Sequence, residues 1–160
     1  NLLIFLPMAT PEIVLGASLL SLFLVFKINP GFWPTVIAHV MFCVSFVVVT
    51  VKARIASLDP RLEQAAMDLY ANELETFRRV TLPLVAPGIA GAALLAFSLS
   101  FDDFIITNFN SGTLITFPKF VYVAAARGIP AQANVIGSAM FFLALAIVIA
   151  GQLVNRRKAR

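Results

Sequence analysis

Apolar positions gather in four long intervals, 2–26, 33–51, 87–108 and 133–154, separated by a short turn, a charged stretch and an apolar loop. Each interval has roughly the 20 residues an α-helix needs to cross a hydrocarbon core about 30 Å thick. None shows the apolar and polar alternation of barrel strands, and a barrel would leave the unbroken apolar runs unexplained. The pattern predicts an all-α membrane protein, a polytopic bundle with four spans.

The charged interval, 59–87, reads DPRLEQAAMDLYANELETFRRVTLPLVAP. Asp59 suits the cap of a helix whose first residue is Pro60, because the N–H that proline lacks is unpaired at that position anyway. Leu62, Ala65, Ala66 and Leu69 then share a face. Asn72 followed by Glu75 has the spacing of a capping box, and Arg78 and Arg79 suit the negative end of a second short helix. Two short helices with a turn at Ala71 and Asn72 are expected, ended by Leu82-Pro83 and Pro87, since proline disfavours helical geometry in the residue before it. In the apolar loop, 110–132, Pro118 is expected to start a short helix through Ala126. Arg127 would lie in its last turn, Gly128 would stop it and Pro130 would follow. That segment is too short to span.

Composition strengthens the membrane reading. Hydrophobic residues make up 60% and charged residues 12%, with a mean hydropathy of +0.93, about half the charge of an ordinary soluble domain. The net charge of +4 and pI near 9.7 report topology rather than nucleic acid. Of the 12 Lys and Arg, only Lys27, Lys119 and Arg127 fall on one side; the rest flank the charged interval or lie in the tail. By the positive-inside rule, the interval 59–87 and the C-terminus are expected in the cytoplasm and the loop 110–132 outside.

Few residues offer chemistry. Glu12 directly follows Pro11, with Pro7 four residues earlier, so a helix break is expected there. At 1.5 Å per residue, Glu12 lies roughly 20 Å from Phe26, well inside the bilayer. It is either a pathway residue or the cap of the helix that begins after Pro11. The third interval carries a small-residue stripe, Gly88, Ala92 and Ala96, suited to close packing. Its far end holds Ser98, Ser100, Asp102, Asp103, Thr107 and Asn108, too polar for lipid. Asp102 and Asp103 point about 100° apart on a helix, so both cannot face one cavity equally. His39 and the single Cys43 stand alone, without the further ligands of a metal site, and are read as a hydrogen-bonded histidine and a packing thiol. The chain has no G-x-x-x-x-G-K-[ST] phosphate loop.

The run Gln64-Ala65-Ala66, a small loop, and then Val80-Thr81-Leu82-Pro83-Leu84 resembles the EAA loop of ABC-importer permeases. That loop is written as EAA, a Gly four residues after the second Ala, and I-x-L-P. The stretches PMATPEIVLGASLL, FCVSFVVVTVKARI and FSLSFDDFIITNF are similar to the PotC-type branch that imports spermidine and putrescine, and the resemblance covers the whole chain. Gln64 stands where the motif has Glu, and Tyr70 where it has Gly.

The resemblance implies that Gln64, Ala65, Ala66, Asp68, Leu69, Tyr70, Leu82 and Pro83 form a coupling surface for a cytoplasmic ABC ATPase dimer. It further implies a second permease subunit, an extracytoplasmic substrate-binding protein and a bacterial plasma-membrane location. Glu12, Asp102 and Asp103 become candidates for a polyamine pathway. No cofactor is expected on this chain, and ATP and Mg belong to the ATPase. Residues 1–160 are read as the C-terminal part of one permease domain, with further spans upstream. Three alternatives stay open: a permease for another small solute such as an iron complex, a sugar or an amino-acid derivative; a membrane-embedded enzyme, which lone His39 and Cys43 argue against; and a structural membrane subunit.

Overall fold

The computed structural model describes residues 2–125, 128 and 131–158. Its regular elements are helical: α1 (Leu2–Ala9), α2 (Glu12–Val25), α3 (Phe32–Ala56), α4 (Arg61–Asp68), α5 (Glu73–Thr76), a π-helical turn (Phe77–Thr81), α6 (Leu82–Asp102), α7 (Ile105–Asn110), α8 (Phe117–Ala125) and α9 (Ala131–Lys158). Three stretches are long and apolar enough to cross a membrane, Phe32–Ala56, Glu73–Asp102 and Ala131–Gly151, while Glu12–Val25 is apolar but shorter. Large apolar side chains such as Val40, Val44, Phe141 and Phe142 are exposed. Such surface is a liability in water and ordinary against lipid. The chain divides into two compact units, Asn1–Pro118 and Lys119–Arg160.

The first apolar interval is not one spanning helix. Pro11, at ψ 134°, separates α1 from α2, and the Thr10 hydroxyl turns back to bond the Leu6 carbonyl at 2.7 Å. With 14 residues, α2 is about 21 Å long, short of the hydrocarbon thickness. Pro7 is accommodated inside α1.

In the first unit the core forms where α2, α3 and α7 meet: Leu19, Phe23, Ala38, Phe42, Cys43 and Ile106, with Ala96 and Leu99 of α6 packed against it. Small residues set the spacing. A Cβ on Gly16 would lie 3.0 Å from Phe109 Cδ2 and 3.3 Å from Ile106 Cα, so α7 reaches α2 only because that side chain is missing. Buried Asn110 donates from its amide to the carbonyls of Gly16 (3.3 Å) and Ile106 (2.9 Å), and its backbone carbonyl accepts from the Gly31 N–H at 2.9 Å. Gly112, at φ +57°, closes the same seam; a Cβ there would meet the Pro30 carbonyl oxygen at 2.8 Å.

Of the two predicted caps in the charged interval, Asn72 holds its place and Asp59 is displaced by one residue, since Pro60 is the N-cap of α4. Asp59 Oδ1 accepts from the Arg61 N–H at 2.9 Å, which starts α4 one residue later than expected. Asn72 and Glu75 form the reciprocal capping box, at 2.9 and 3.3 Å. The turn is longer than expected, since α4 ends at Asp68 and Leu69 and Tyr70 already leave the helix.

Two boundaries differ more. Leu82-Pro83 and Pro87 do not end the unit, because the chain stays helical from Glu73 to Asp102. The π turn is the reason: Leu82 N–H reaches five residues back to Phe77 O, and the widened turn gives the Pro83 ring room beside the carbonyls it would otherwise strike. Arg78 and Arg79 therefore sit within a continuous helix rather than at a helix end, and Arg79 approaches Glu75 at 3.8 Å in an exposed i,i+4 pair. At the other end, the third span does not run to Asn108. It stops at Asp102 because Asp103 adopts ψ 120° and gives its carboxylate to the next helix.

In the second unit, α9 covers the predicted fourth span. Of the expected stop signals after α8, Gly128 has the left-handed φ of +93°; Ala126, Arg127 and Pro130 lie outside the described residues.

Candidate functional site

The break after α6 decides where the acids go. Asp103 is buried, and its Oδ1 and Oδ2 accept from the N–H groups of Ile106 (3.2 Å) and Thr107 (2.8 Å). Both oxygens thus cap α7, the two-acceptor use to which a carboxylate is well suited. His39 of α3 faces this cap. Its Nε2 lies 3.4 Å from Asp103 Oδ2 and 2.8 Å from Thr107 Oγ1, and its Nδ1 lies 2.7 Å from Ser100 Oγ. A carboxylate only accepts, so the nitrogen facing it carries the proton; in the neutral ring Nδ1 then accepts from the Ser100 hydroxyl. One imidazole therefore ties α3 to both sides of the break in α6.

Asp102 has the opposite fate. It is exposed, and with Glu12, Asp103, Phe42, Leu99, Phe104 and Ile105 it lines a cavity of about 360 Å³. Glu12 is the first residue of α2. The N-cap is Pro11, which makes no side-chain cap bond, and the Glu12 carboxylate is exposed. The three acids proposed from sequence come together around one cavity, in unequal roles: Asp103 is occupied by backbone donors, while Glu12 and Asp102 offer free oxygens from two helices. A larger cavity of about 530 Å³ lies along α3 and α6, lined mainly by apolar residues such as Phe32, Val36, Phe97 and Phe101, with His39 and Ser100 in its wall.

The second candidate surface is the charged interval. Gln64, Ala65 and Asp68 are exposed on α4 and Ala66 is half-buried; Leu82 and Pro83 are exposed in the first turn of α6. Among the apolar residues, Leu62, Met67, Leu74 and Phe77 are exposed, Leu69 is 81% exposed and Tyr70 98%. Tyr70 has φ +64°, the left-handed region that side chains with a Cβ enter at a cost of roughly 1–2 kcal/mol. A glycine would adopt it freely, and the resembling motif has glycine at this position. Tyr70 thus keeps the backbone geometry of the turn and adds a fully exposed ring. Thr81 of the π turn donates its hydroxyl to Glu63 Oε1 of α4 at 2.7 Å, which fixes the short helix against the start of the span.

Several of these groups were not singled out from sequence. The partners of His39 stand 61 and 68 residues away, beyond any local pattern; the available signal was the excess of hydroxyls at Ser100 and Thr107 in an apolar interval. Arg54 read only as one of the inner-side cations. In the structure its Nε and Nη2 both donate to the Leu84 carbonyl of α6, at 3.0 and 2.9 Å.

Comparison with known proteins is consistent over nearly the full chain. The family model described as "binding-protein-dependent transport system inner membrane component" matches residues 1–159. The spermidine/putrescine transport system permease protein PotC of Haemophilus influenzae is 36% identical over 156 residues, covering 97% of this chain and 61% of that protein. The PotC protein of Escherichia coli is 37% identical over 159 residues, covering 99% and 60%. The putrescine transport system permease protein PotI of Escherichia coli is 38% identical over 140 residues, covering 82% and 50%. The chain therefore spans about three-fifths, or less, of the length of these relatives.

Proposed function

Because this chain belongs to the family of binding-protein-dependent transport system inner membrane components, we propose that it works as a permease subunit of an ABC importer for polyamines, spermidine or putrescine. It lines a translocation pathway in the membrane and passes the work of a separate cytoplasmic ATPase to that pathway through residues 59–87. A second permease subunit completes the pathway, and an extracytoplasmic binding protein delivers the solute. ATP and Mg belong to the ATPase.

The observation that carries the substrate class is the cavity that Glu12 of α2 and Asp102 of α6, both exposed, line together. Acids at membrane depth are costly and face a wet interior or a charged partner. Two of them opening on one cavity suit a solute with ammonium groups. The relatives named for spermidine and putrescine support the same class.

The coupling half of the reading rests on α4. Ala65 and Ala66 are small, so a partner groove can approach the backbone there, and Leu62, Leu69 and Tyr70 present apolar surface beside them. Ala65→Asp puts a carboxylate into that contact at a cost of about several kcal/mol if it stays charged and unpaired. In the complete transporter reconstituted with its ATPase and binding protein, Ala65→Asp is expected to abolish spermidine uptake and substrate-stimulated ATP hydrolysis while the spans stay inserted. Full coupling in that variant would overturn the assignment of 59–87 as the coupling surface.

A further inference from the structure

Arg54 lies in the last turn of α3 and makes a contact that its charge alone does not explain. Its Nε and Nη2 converge on one acceptor, the Leu84 carbonyl in the first turn of α6, at 3.0 and 2.9 Å. Its stem lies directly on Gly88: a Cβ on that glycine would sit 2.5 Å from Arg54 Cγ and 2.6 Å from Arg54 Cβ. The glycine thus opens the seat and the carbonyl holds the head. Pro87, between them in sequence, has no N–H for the Pro83 carbonyl, so this part of α6 is one hydrogen bond short along its own axis. Arg54 does not fill that gap, since it bonds the next carbonyl, that of Leu84; it ties the weakened turn to α3.

We infer that Arg54 is the positioning residue through which displacement of residues 59–87 reaches the cavity, a role that rests on the importer reading above. The links are short. Glu63 of α4 holds Thr81 of the π turn at 2.7 Å. The π turn continues without a break into α6, and Leu84, three residues after Thr81, is held by Arg54 of α3. From there α3 leads to His39, and α6 to Ser100, Asp102 and Asp103. With Arg54 in place, a push on α4 moves the inner ends of α3 and α6 together. Without it, α6 slides along α3, and the push that α6 carries to Asp102 no longer moves α3 and His39 with it. Guanidinium geometry matters, because two donors on one carbonyl fix direction as well as distance, whereas an ammonium offers a point charge on a flexible stem.

The test uses the full-length permease in the assembled transporter, in proteoliposomes, with spermidine uptake and ATP hydrolysis measured on the same vesicles. Arg54→Met keeps the apolar stem over Gly88 and removes the donors. It is expected to assemble with the ATPase and hydrolyse ATP at close to the parent rate, while spermidine taken up per ATP falls about tenfold. Arg54→Lys should recover part of that ratio. Gly88→Ala displaces the stem and should show the same uncoupling, and the double variant Arg54→Met/Gly88→Ala should be no worse than Arg54→Met alone, since both act through one contact. An unchanged ratio in Arg54→Met, or losses that multiply in the double variant, overturns the inference. If Arg54→Met fails to assemble, a fully coupled Gly88→Ala transporter overturns it. A parent complex that takes up no spermidine removes the importer reading and this inference with it, whereas normal parent uptake with coupled variants removes Arg54 alone.

Discussion

Asp102 and Asp103 are neighbours in the chain with different work, and single substitutions should separate them. Asp102 is exposed to the cavity and Asp103 is buried as the cap of α7. Asp102→Asn is expected to lower uptake of a cationic substrate without changing thermal stability in detergent. Asp103→Asn replaces one acceptor with a donor against a backbone N–H, so it should lower both uptake and stability, the latter by about 1 kcal/mol. Equal stability of the two variants would remove the cap from the account, and normal uptake in both singles and in the double would remove them from the pathway. Tyr70 offers a second separation. Tyr70→Gly relieves the left-handed backbone at φ +64°, worth about 1 kcal/mol to the turn, and coupling should be retained or only modestly reduced. The readout is proteolysis of the loop in the assembled complex; a turn cut faster than in the parent would contradict the strain argument.

At the scale of elements, what could be read from sequence was what is encoded locally. The capping box at Asn72 and Glu75 and the break at Pro11 each depend on residues within a turn of one another and appear as expected, while Asp59 reaches the Arg61 N–H from one residue before the cap position, which Pro60 holds. The acids at Glu12, Asp102 and Asp103 were also legible, because charge in an apolar interval stands out. Their division of labour was not, since it depends on the break at Asp103, and only spatial neighbours decide whether that carboxylate faces a cavity or a helix end. Pro83 and Pro87 misled for a related reason. Proline removes one bond of a regular α turn, but a widened turn before Pro83 lets the helix run on there, and the helix continues through Pro87 with one bond fewer. His39 is hydrogen-bonded as read from sequence, but its partners, and the contact of Arg54, lay beyond reach, because the packing of α3 on α6 and α7 brings them together.

For the molecule as a whole, orientation is the property most open to test. By the positive-inside rule, the basic residues around 52–79 and in the tail predict that residues 59–87 and the C-terminus face the cytoplasm. Accessibility probes at Glu73 and a reporter after Arg160 should both report the cytoplasm, and probes at Gly112 the outside; a cytoplasmic Gly112 would overturn the topology. The π turn adds a constraint to that arrangement. It holds one residue more than an α turn, so everything before it is swung by about 100° of azimuth relative to an unbroken helix. The bearing of α4 and α5 around the axis of α6 is therefore set by the number of residues between Phe77 and Thr81 as much as by their identity. Shortening that turn by a single residue would leave both halves chemically intact and aim the loop at a different compass point.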